Sequence, residues 1–313
     1  MAELRTKITS RMDIAYAPCY VLEVPDGHRF PMQKYRWLRE QLVHRGIAEP
    51  EAFFTPDAMA EADVLAAHTL AYWTKLRDGT LSRSEQRRSG FSWSPELVTR
   101  ERVIVQGTLE CALRALKSGE VALNIAGGTH HAYPDRAEGF CLLNDFGLAA
   151  NLLLQRGAIR RALVLDCDVH QGNGTAAMMR HEPRVTTFSM HGAHNYPLHK
   201  EVSDCDVALP DGTDDPSYLA LLEHHLGRLL NPRALLPDLV FYQCGVDVLA
   251  SDKLGRLSLT PSGCRERDRM VFTRCAELGI PVVCAMGGGY SPNVHDVVEA
   301  HLNTFREALD AWT

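Results

Sequence analysis

The residues with the clearest chemical potential lie in the segment 166–174, which reads Asp-Cys-Asp-Val-His-Gln-Gly-Asn-Gly. Asp168 and His170 are two positions apart, and residues at that spacing point to the same side of an extended chain. A carboxylate and an imidazole that converge can bind one metal ion, and the glycines that follow allow a sharp turn. Such a pair, with coordination positions left open, is what a hydrolytic zinc site requires.

The third ligand is expected from another part of the chain. Asp247 follows the apolar run Leu239–Cys244 and is the natural partner of Asp168 and His170. A lone aspartate after a strand is more often a helix N-cap, but the nearby histidine and the second carboxylate favour a metal site. Because two of the three ligands are oxygens, iron or another divalent ion remains an alternative to zinc.

Two adjacent histidines, His130 and His131, follow another apolar run. They could be a surface accident, a second metal pair or the source of a general base. An imidazole whose far nitrogen donates to a carboxylate or amide is held in one tautomer, and Asp166 and Asn173 are possible partners. A hydrolase that uses metal-activated water needs such a base and later an acid for the leaving amine, and both histidines are candidates.

Tyr290 closes the sequence Gly-Gly-Gly-Tyr at 287–290. Most tyrosines belong to the core, but these glycines allow the phenol to sit at a crowded backbone site and donate to a developing oxyanion. The glycines could instead hold a phosphate, although no dinucleotide-binding or Walker pattern accompanies them. Phe140 and Tyr196 lie in other loops and could form the walls of a slot for a slender aliphatic chain.

Five near-continuous apolar runs predict the buried strands that position these residues. The runs are Val121–Ala126, Ala162–Asp168, Val185–Met190, Leu239–Cys244 and Pro281–Met286, and Ile14–Tyr20 is a candidate sixth. Helices are predicted from about Asp145 to Gly157 and over Ser217–Leu230, Ser262–Leu278 and Asn293–Leu309. The polar segment Ser82–Gly90 is predicted to be an exposed loop, either a solvated connection or a mobile part of the substrate rim.

Alternating strands and helices predict an α/β fold, a doubly wound parallel sheet with helices on both faces. Ligand sites in such sheets lie beyond the carboxyl ends of the strands. Polar clusters follow four of the predicted strands, so we expect these clusters to meet at one edge of the sheet. The 313 residues are enough for one large domain or two smaller ones.

The composition excludes some partners. A net charge of −6 argues against a nucleic-acid binder, for which a basic footprint is expected. No apolar run approaches the roughly 20 residues of a membrane helix, and the segment Met1–Lys7 lacks the apolar stretch of a secretory signal. The nine cysteines include no Cys-x-x-Cys pair, which favours free thiols and a cytoplasmic location. The oligomeric state is left open.

Taken together, the motifs resemble the signature set of the zinc-dependent histone deacetylase superfamily, which also includes acetylpolyamine amidohydrolases and acetoin-utilisation proteins. The resemblance runs from about Ile14 to Leu309 in the same order and rests on residues 130–131, 138–145, 166–174, 243–247 with 252, and 287–290. Residues 168–174, 212–215 and 252–257 are most similar to the class IV branch and its bacterial relatives. The resemblance implies an arginase-like α/β fold and one catalytic domain over residues 1–313.

The resemblance also implies two ions. The residues that match the ligands of one catalytic zinc ion are Asp168, His170 and Asp247. The residues that match those around a structural potassium ion are Asp166, Asp168, His170, Ser189 and Met190.

Other residues match catalytic and substrate-binding positions. His131 corresponds to the general base, His130 to its electrostatic neighbour and Tyr290 to the oxyanion-stabilising tyrosine. The residues that match the acyl-lysine tunnel are Gly139, whose carbonyl would accept the substrate amide N–H, and the aromatic residues Phe140 and Tyr196.

Three features depart from better-known branches. Asn173 stands where class I members have an aspartate beside the general base, and a neutral partner raises the basicity of a histidine less. The rim aspartate of class I has no counterpart within Leu81–Glu96, and Leu254 stands where a polyamine-selective relative has an acidic gatekeeper. We therefore predict a zinc-dependent hydrolase that removes acetyl or longer acyl groups from lysine side chains of proteins. The alternative is a deacetylase of acylated polyamines or another small acylated amine.

Overall fold

The computed structural model of the protein describes residues 12–313, and the segment Met1–Lys7 lies outside these residues. Eight strands form one sheet in the order β2-β1-β3-β8-β7-β4-β5-β6, and every neighbouring pair is parallel. The strands are β1 Asp13–Ala15, β2 Phe53–Phe54, β3 Val121–Asn124, β4 Ala162–Asp166, β5 Val185–Gly192, β6 Cys205–Leu209, β7 Leu239–Gln243 and β8 Val282–Ala285. This sheet confirms the predicted parallel α/β architecture.

The helices form two packed sets around the sheet. In one set α5 packs against α3 and α6, and α6 also contacts α2 and α7; in the other, α10 packs against α1 and α9, and α9 against α8. The helices are α1 Gln33–His44, α2 Glu61–Val64, α3 Leu70–Asp78, α4 Arg83–Ser89, α5 Pro95–Ser118, α6 Asp145–Gln155, α7 Asn173–Met179, α8 Asp215–Leu229, α9 Pro261–Glu277 and α10 Val294–Ala311. In the described part of the chain, no helix is long and apolar enough to cross a membrane.

Most of the predicted elements are present. The five apolar runs correspond to β3, β4, β5, β7 and β8, with β5 extending past its predicted end to Gly192, and the four predicted helices correspond to α6, α8, α9 and α10. The candidate strand Ile14–Tyr20 is only partly correct, because β1 ends at Ala15 and a short 3₁₀ turn covers Pro18–Tyr20. Proline at the start of that turn has a fixed φ and no N–H for a strand ladder.

The segment Ser82–Gly90 forms a helix, so the prediction of a loop is wrong. The Ser82 hydroxyl accepts from the Glu85 N–H at 3.2 Å, and the Glu85 carboxylate accepts from the Ser82 N–H at 2.7 Å. These reciprocal bonds are a capping box, which satisfies two donors at the helix start. Gly90 ends α4 in the left-handed region, with φ +79°. Ser89 is the only residue of α4 that is buried, so the helix carries no apolar periodicity to reveal it.

The central strands carry their polar loops to one edge of the sheet. Every residue of β3, β4, β7 and β8 is buried. β4 ends at Asp166, two residues earlier than predicted, so Asp168 and His170 lie in the loop that follows the strand. Because neighbouring strands are parallel and in register, the loops after β3, β4, β7 and β8 meet at the carboxyl edge, as expected for this class of fold.

Candidate active site

Three side chains from two of these loops form a buried cluster. One ligand atom from each of Asp168, His170 and Asp247 lies within 4.8 Å of the other two. His170 Nδ1 is 3.1 Å from Asp168 Oδ1 and 3.1 Å from Asp247 Oδ2. The Gly288 N–H donates to Asp168 Oδ2 at 2.8 Å, and a Cβ at Gly288 would overlap the Asp247 carboxylate. Only glycine therefore allows the loop after β8 to close over the cluster.

The charges in this cluster suit a divalent cation. Burial, and after it the charge of Asp168, raises the pKa of Asp247 to about 7. Burial also disfavours ionised Asp168, but His130 and His170 outweigh it and hold that pKa well below its usual range. Zinc binds carboxylate oxygens and imidazole nitrogens, so two buried carboxylates and an imidazole nitrogen at this spacing can hold it. Within residues 12–313 this is the one cluster of three or more such side chains, so the donors fit one ion.

His130 and His131 are adjacent, but their surroundings shift their pKa values in opposite directions. His130 Nδ1 lies 2.7 Å from Asp166 Oδ2. Burial lowers the pKa of His130, but Asp166 and Asp168 outweigh it and raise the pKa to about 8. Burial, together with the charges of His130 and His170, holds the pKa of His131 well below its usual value. His131 is therefore neutral near pH 7, while His130 carries a proton.

The neutral imidazole of His131 is held in one tautomer. His131 Nδ1 lies 2.6 Å from Asn173 Oδ1. The Asn173 amide nitrogen donates to Glu138 Oε1 at 2.9 Å and to the Tyr133 hydroxyl at 3.1 Å, which directs its oxygen towards the histidine. Since an amide oxygen only accepts, His131 Nδ1 carries the hydrogen and Nε2 keeps a lone pair. Glu138 was not singled out from the sequence, because its role depends on a contact 35 positions along the chain.

Tyr290 stands beside the cluster and is held by its backbone. Its N–H donates to Asp252 Oδ2 at 2.6 Å. Burial, and then the charges of Asp247 and Asp168, raise the pKa of the Tyr290 phenol well above its usual value, so the hydroxyl stays protonated. Lys34, which the sequence did not reveal, donates to the Gly287 carbonyl at 2.8 Å and lies 5.8 Å from the Tyr290 ring centre. These contacts fix the loop that presents the phenol.

A second buried cation binds the backbone of the two loops that carry Asp168, His170 and Asp247. Arg267 is fully buried and donates to the Cys167 carbonyl at 3.2 Å and to the Gly245 carbonyl at 2.6 Å. Its charge is paired with Asp268, which lies 2.8 Å away and also accepts from the Tyr242 hydroxyl. Cys167 lies directly before Asp168, and Gly245 lies two residues before Asp247. One guanidinium therefore joins the two loops that carry the ligands.

A cavity of about 590 Å³ leads from the surface to this cluster. Its lining includes His131, His170 and Tyr290 at the inner end and Gly139, Phe140, Tyr196 and Leu254 along the walls. Phe140 has φ +66°, an unusual value for a residue with a side chain. Its ring lies 5.5 Å from Phe30 and 6.0 Å from Tyr290, whereas the Tyr196 ring lies 5.1 Å from His131. The predicted aromatic residues therefore line the same cavity as His131.

The residues predicted around a potassium ion include Asp166, Ser189 and Met190, which do not line this cavity. Asp166 on β4 and Ser189 on β5 are paired in register, and both are buried, as is Met190. Asp166 also accepts from the Asp168 N–H at 3.1 Å, and the Ser189 hydroxyl lies 2.9 Å from His191 Nδ1. Ser189 and Met190 do not line the cavity, and their oxygens are of the kind that a hard cation prefers.

Comparison with known proteins identifies the family. The model of the histone deacetylase domain matches residues 28–305. The chain belongs to the histone deacetylase family. An uncharacterized protein of Picosynechococcus sp. is 44% identical over 299 residues, covering 96% of this chain and 99% of that protein. Histone deacetylase 2 of Arabidopsis thaliana is 30% identical over 313 residues, covering 96% of this chain and 80% of that protein. Membership of the histone deacetylase family indicates a hydrolase.

Solved structures of histone deacetylase relatives share the fold. A histone deacetylase homolog solved in complex with SAHA has a TM-score of 0.81 and 20% identity, covering 96% of this chain and 84% of that chain. A histone deacetylase homolog from Aquifex aeolicus has a TM-score of 0.78 and 20% identity, with the same coverage. The predicted arginase- and deacetylase-like fold is therefore confirmed.

Proposed function

We propose that this chain is a zinc-dependent hydrolase that removes acyl groups from lysine side chains of proteins. One observation carries the proposal: the Asp168-His170-Asp247 cluster lies at the inner end of a cavity, beside a neutral histidine with a free lone pair. We also propose that residues 1–313 form one catalytic domain. Within the family, we propose that this domain is most similar to the class IV branch. A cytoplasmic location is supported by the nine cysteines, which are all free thiols.

Asp168, His170 and Asp247 would hold the zinc ion. When bound, zinc supplies Lewis acidity, which polarises the scissile carbonyl and lowers the pKa of water. The rest of the chemistry comes from the chain. His131 Nε2 takes a proton from the attacking water, while the positive charge of His130 favours the negative charge that develops beside it.

Tyr290 then stabilises the oxyanion, and His131 protonates the leaving amine. The Tyr290 hydroxyl donates to the oxygen that was the carbonyl, which stabilises the oxyanion. When the C–N bond breaks, protonated His131 returns its proton to the lysine nitrogen, which leaves as a free amine, and the resulting carboxylic acid loses its proton to solvent. The Gly139 carbonyl would accept the amide N–H of the substrate. The rings of Phe140 and Tyr196 would orient the aliphatic stem of the lysine.

A structural potassium ion would lie beside Asp166, Asp168, His170, Ser189 and Met190. The buried carboxylate and hydroxyl on adjacent strands support this part of the proposal. Elemental analysis of protein dialysed against sodium and against potassium buffers checks it directly, with bound potassium expected at one ion per chain.

The function is tested with a panel of substrates. The zinc-loaded protein is incubated with peptides that carry acetyl-lysine or longer acyl-lysines and with acetylspermidine, and kcat/KM is compared. We expect at least one acyl-lysine peptide to be the better substrate. If acetylspermidine is hydrolysed more efficiently than every peptide, the protein substrate is wrong and a small acylated amine takes its place.

A further inference from the structure

Three arginines line the mouth of the active-site cavity. Arg29, Arg87 and Arg88 are all exposed and all contribute to its lining. Within residues 12–313, none of them makes an ion pair or a side-chain hydrogen bond. The cavity lining contains no aspartate or glutamate among the described residues. Three cationic side chains therefore face the entrance without a counter-charge, in a chain whose net charge is −6.

The arginines belong to one wall that is tied to the catalytic end. The carbonyls of Arg88 and Ser89, at the end of α4, accept from the N–H groups of Gly139 at 3.1 Å and Phe140 at 2.9 Å. A Cβ at Gly90 would meet the Phe140 ring at 2.6 Å, so α4 sits directly against this aromatic residue. The last turn of α4, with Arg87 and Arg88, is thus fixed relative to the cavity.

Arg29 joins the same wall through its neighbour His28. The His28 Nε2 atom lies 2.9 Å from the Gly90 carbonyl, and the His28 ring stacks on Phe91 at 5.3 Å. We name residues 27–29 and 87–90 the arginine wall. The second wall is apolar at its rim: the Leu254 carbonyl accepts from Asn195, which places Leu254 next to Tyr196.

Nearby carboxylates do not neutralise the arginine wall. Glu85, on the same helix, is bound to Lys75 at 3.0 Å and caps the helix through Ser82. Asp26 is exposed beside Gly27 but is not part of the cavity lining. A cluster of cations at the entrance of a cavity concentrates anions and repels cations, and guanidinium groups bind carboxylates in a bidentate manner.

We propose that the arginine wall selects acyl-lysines flanked by acidic residues. This inference rests on the proposed function and adds the substrate class: the acyl-lysine stem enters between Phe140 and Tyr196 while carboxylates on neighbouring residues pair with Arg29, Arg87 and Arg88. The same wall disfavours acylated polyamines, whose ammonium groups would lie against the guanidinium groups. The positive charge at the cavity mouth thus discriminates between anionic and cationic substrates, which the apolar side chain of Leu254 cannot do.

The test uses three blocked peptides of equal length, each with one acyl-lysine flanked on both sides by glutamate, glutamine or lysine. At low ionic strength we expect kcat/KM to fall in that order, with the glutamate peptide roughly tenfold above the lysine peptide. High salt should reduce the ratio, because exposed charges are screened. Blocked termini ensure that the charge comes from the flanking residues alone.

Variants assign the effect to the wall. The double variant Arg87→Gln/Arg88→Gln should lower the glutamate-to-lysine ratio roughly threefold to tenfold. Arg83→Gln is the matched control, because Arg83 is an exposed arginine on the same helix that does not line the cavity. It should keep the wild-type ratio.

The outcomes separate this inference from the proposed function. Peptides that are hydrolysed at equal rates, or a ratio that the double variant leaves unchanged, overturn the arginine wall alone. If the zinc-loaded protein hydrolyses none of the three peptides, the lysine deacylase function itself is wrong and the substrate class is overturned with it.

Discussion

The inner end of the cavity and its rim are built in different ways. The inner end consists of Asp168, His170, Asp247, His131 and Tyr290, which follow buried parallel strands and are fixed by backbone donors or buried partners. The rim consists of Arg29, Arg87, Arg88, Tyr196 and Leu254, which lie on a short helix and on loops and are partly or fully exposed. The inner end therefore lies directly at the ends of buried strands, where side chains are held rigidly, whereas the rim lies on more exposed segments, where side chains vary more easily.

The comparison predicts that damage at the inner end affects turnover, whereas changes at the rim affect the choice of substrate. A group that acts in the transition state changes kcat, and a group that binds ground state and transition state alike changes KM.

Among the residues that are not metal ligands, His131→Ala should have the largest effect. Loss of the group that accepts the proton from water should lower kcat/KM by roughly 10²–10⁴. Zinc content, measured by elemental analysis, should stay at the wild-type level, because His131 is not a ligand. A variant that keeps its zinc and works within a few-fold of wild type would assign the base elsewhere.

Tyr290→Phe should lower kcat by roughly 10²–10³, the usual cost of one oxyanion donor, with little change in KM. The ring contacts to Phe30 and Phe140 do not use the hydroxyl, so the fold should be retained. Steady-state kinetics and thermal unfolding check the two parts separately. An effect confined to KM would place Tyr290 among the substrate-binding residues instead.

Glu138→Ala should lower kcat by roughly tenfold, since the Asn173 amide loses an acceptor that orients it towards His131. Glu138→Gln keeps an acceptor oxygen and should recover most of the loss. Tyr196→Phe removes the 2.6 Å bond from Tyr196 to Glu138 and leaves Asn173 untouched, so it separates the two contacts. Equal kcat for the Ala and Gln variants would argue against this orienting role.

Leu254→Glu should produce the smallest effect on rate and the clearest effect on selectivity. A carboxylate at the rim would attract cationic amines, raising the kcat/KM ratio of acetylspermidine to an acyl-lysine peptide roughly threefold to tenfold. Leu254→Gln is the matched control, because it adds polarity without charge and should leave the ratio near the wild-type value. If both variants shift the ratio equally, charge is not what Leu254 controls.

The difference between the two regions also explains what the sequence revealed. The residues of the inner end follow strands with continuous apolar runs, and parallel register brings such residues together without further information. The apolar run predicts that Asp168 and His170 lie at a strand end, and they lie in the loop just after β4.

The rest could not be read from local patterns. Lys34 reaches Gly287, 253 positions away, and no motif around Lys34 marks that bond. α4 has one buried residue, so it lacks apolar periodicity, and only its Ser82–Glu85 capping box marks it as a helix. β6 is an edge strand with alternating exposure, and β2 has only two residues, so neither forms a continuous apolar run.

The most direct test of the account is the dependence of acyl-lysine hydrolysis on zinc at the Asp168-His170-Asp247 cluster. The protein is stripped with a chelator, its zinc content is measured, and the release of free lysine amine from an acyl-lysine peptide is followed before and after zinc is added back. We predict no activity without zinc, full recovery with about one zinc ion per chain, and no recovery in Asp247→Ala. Full activity in protein shown to be free of metal would contradict the account.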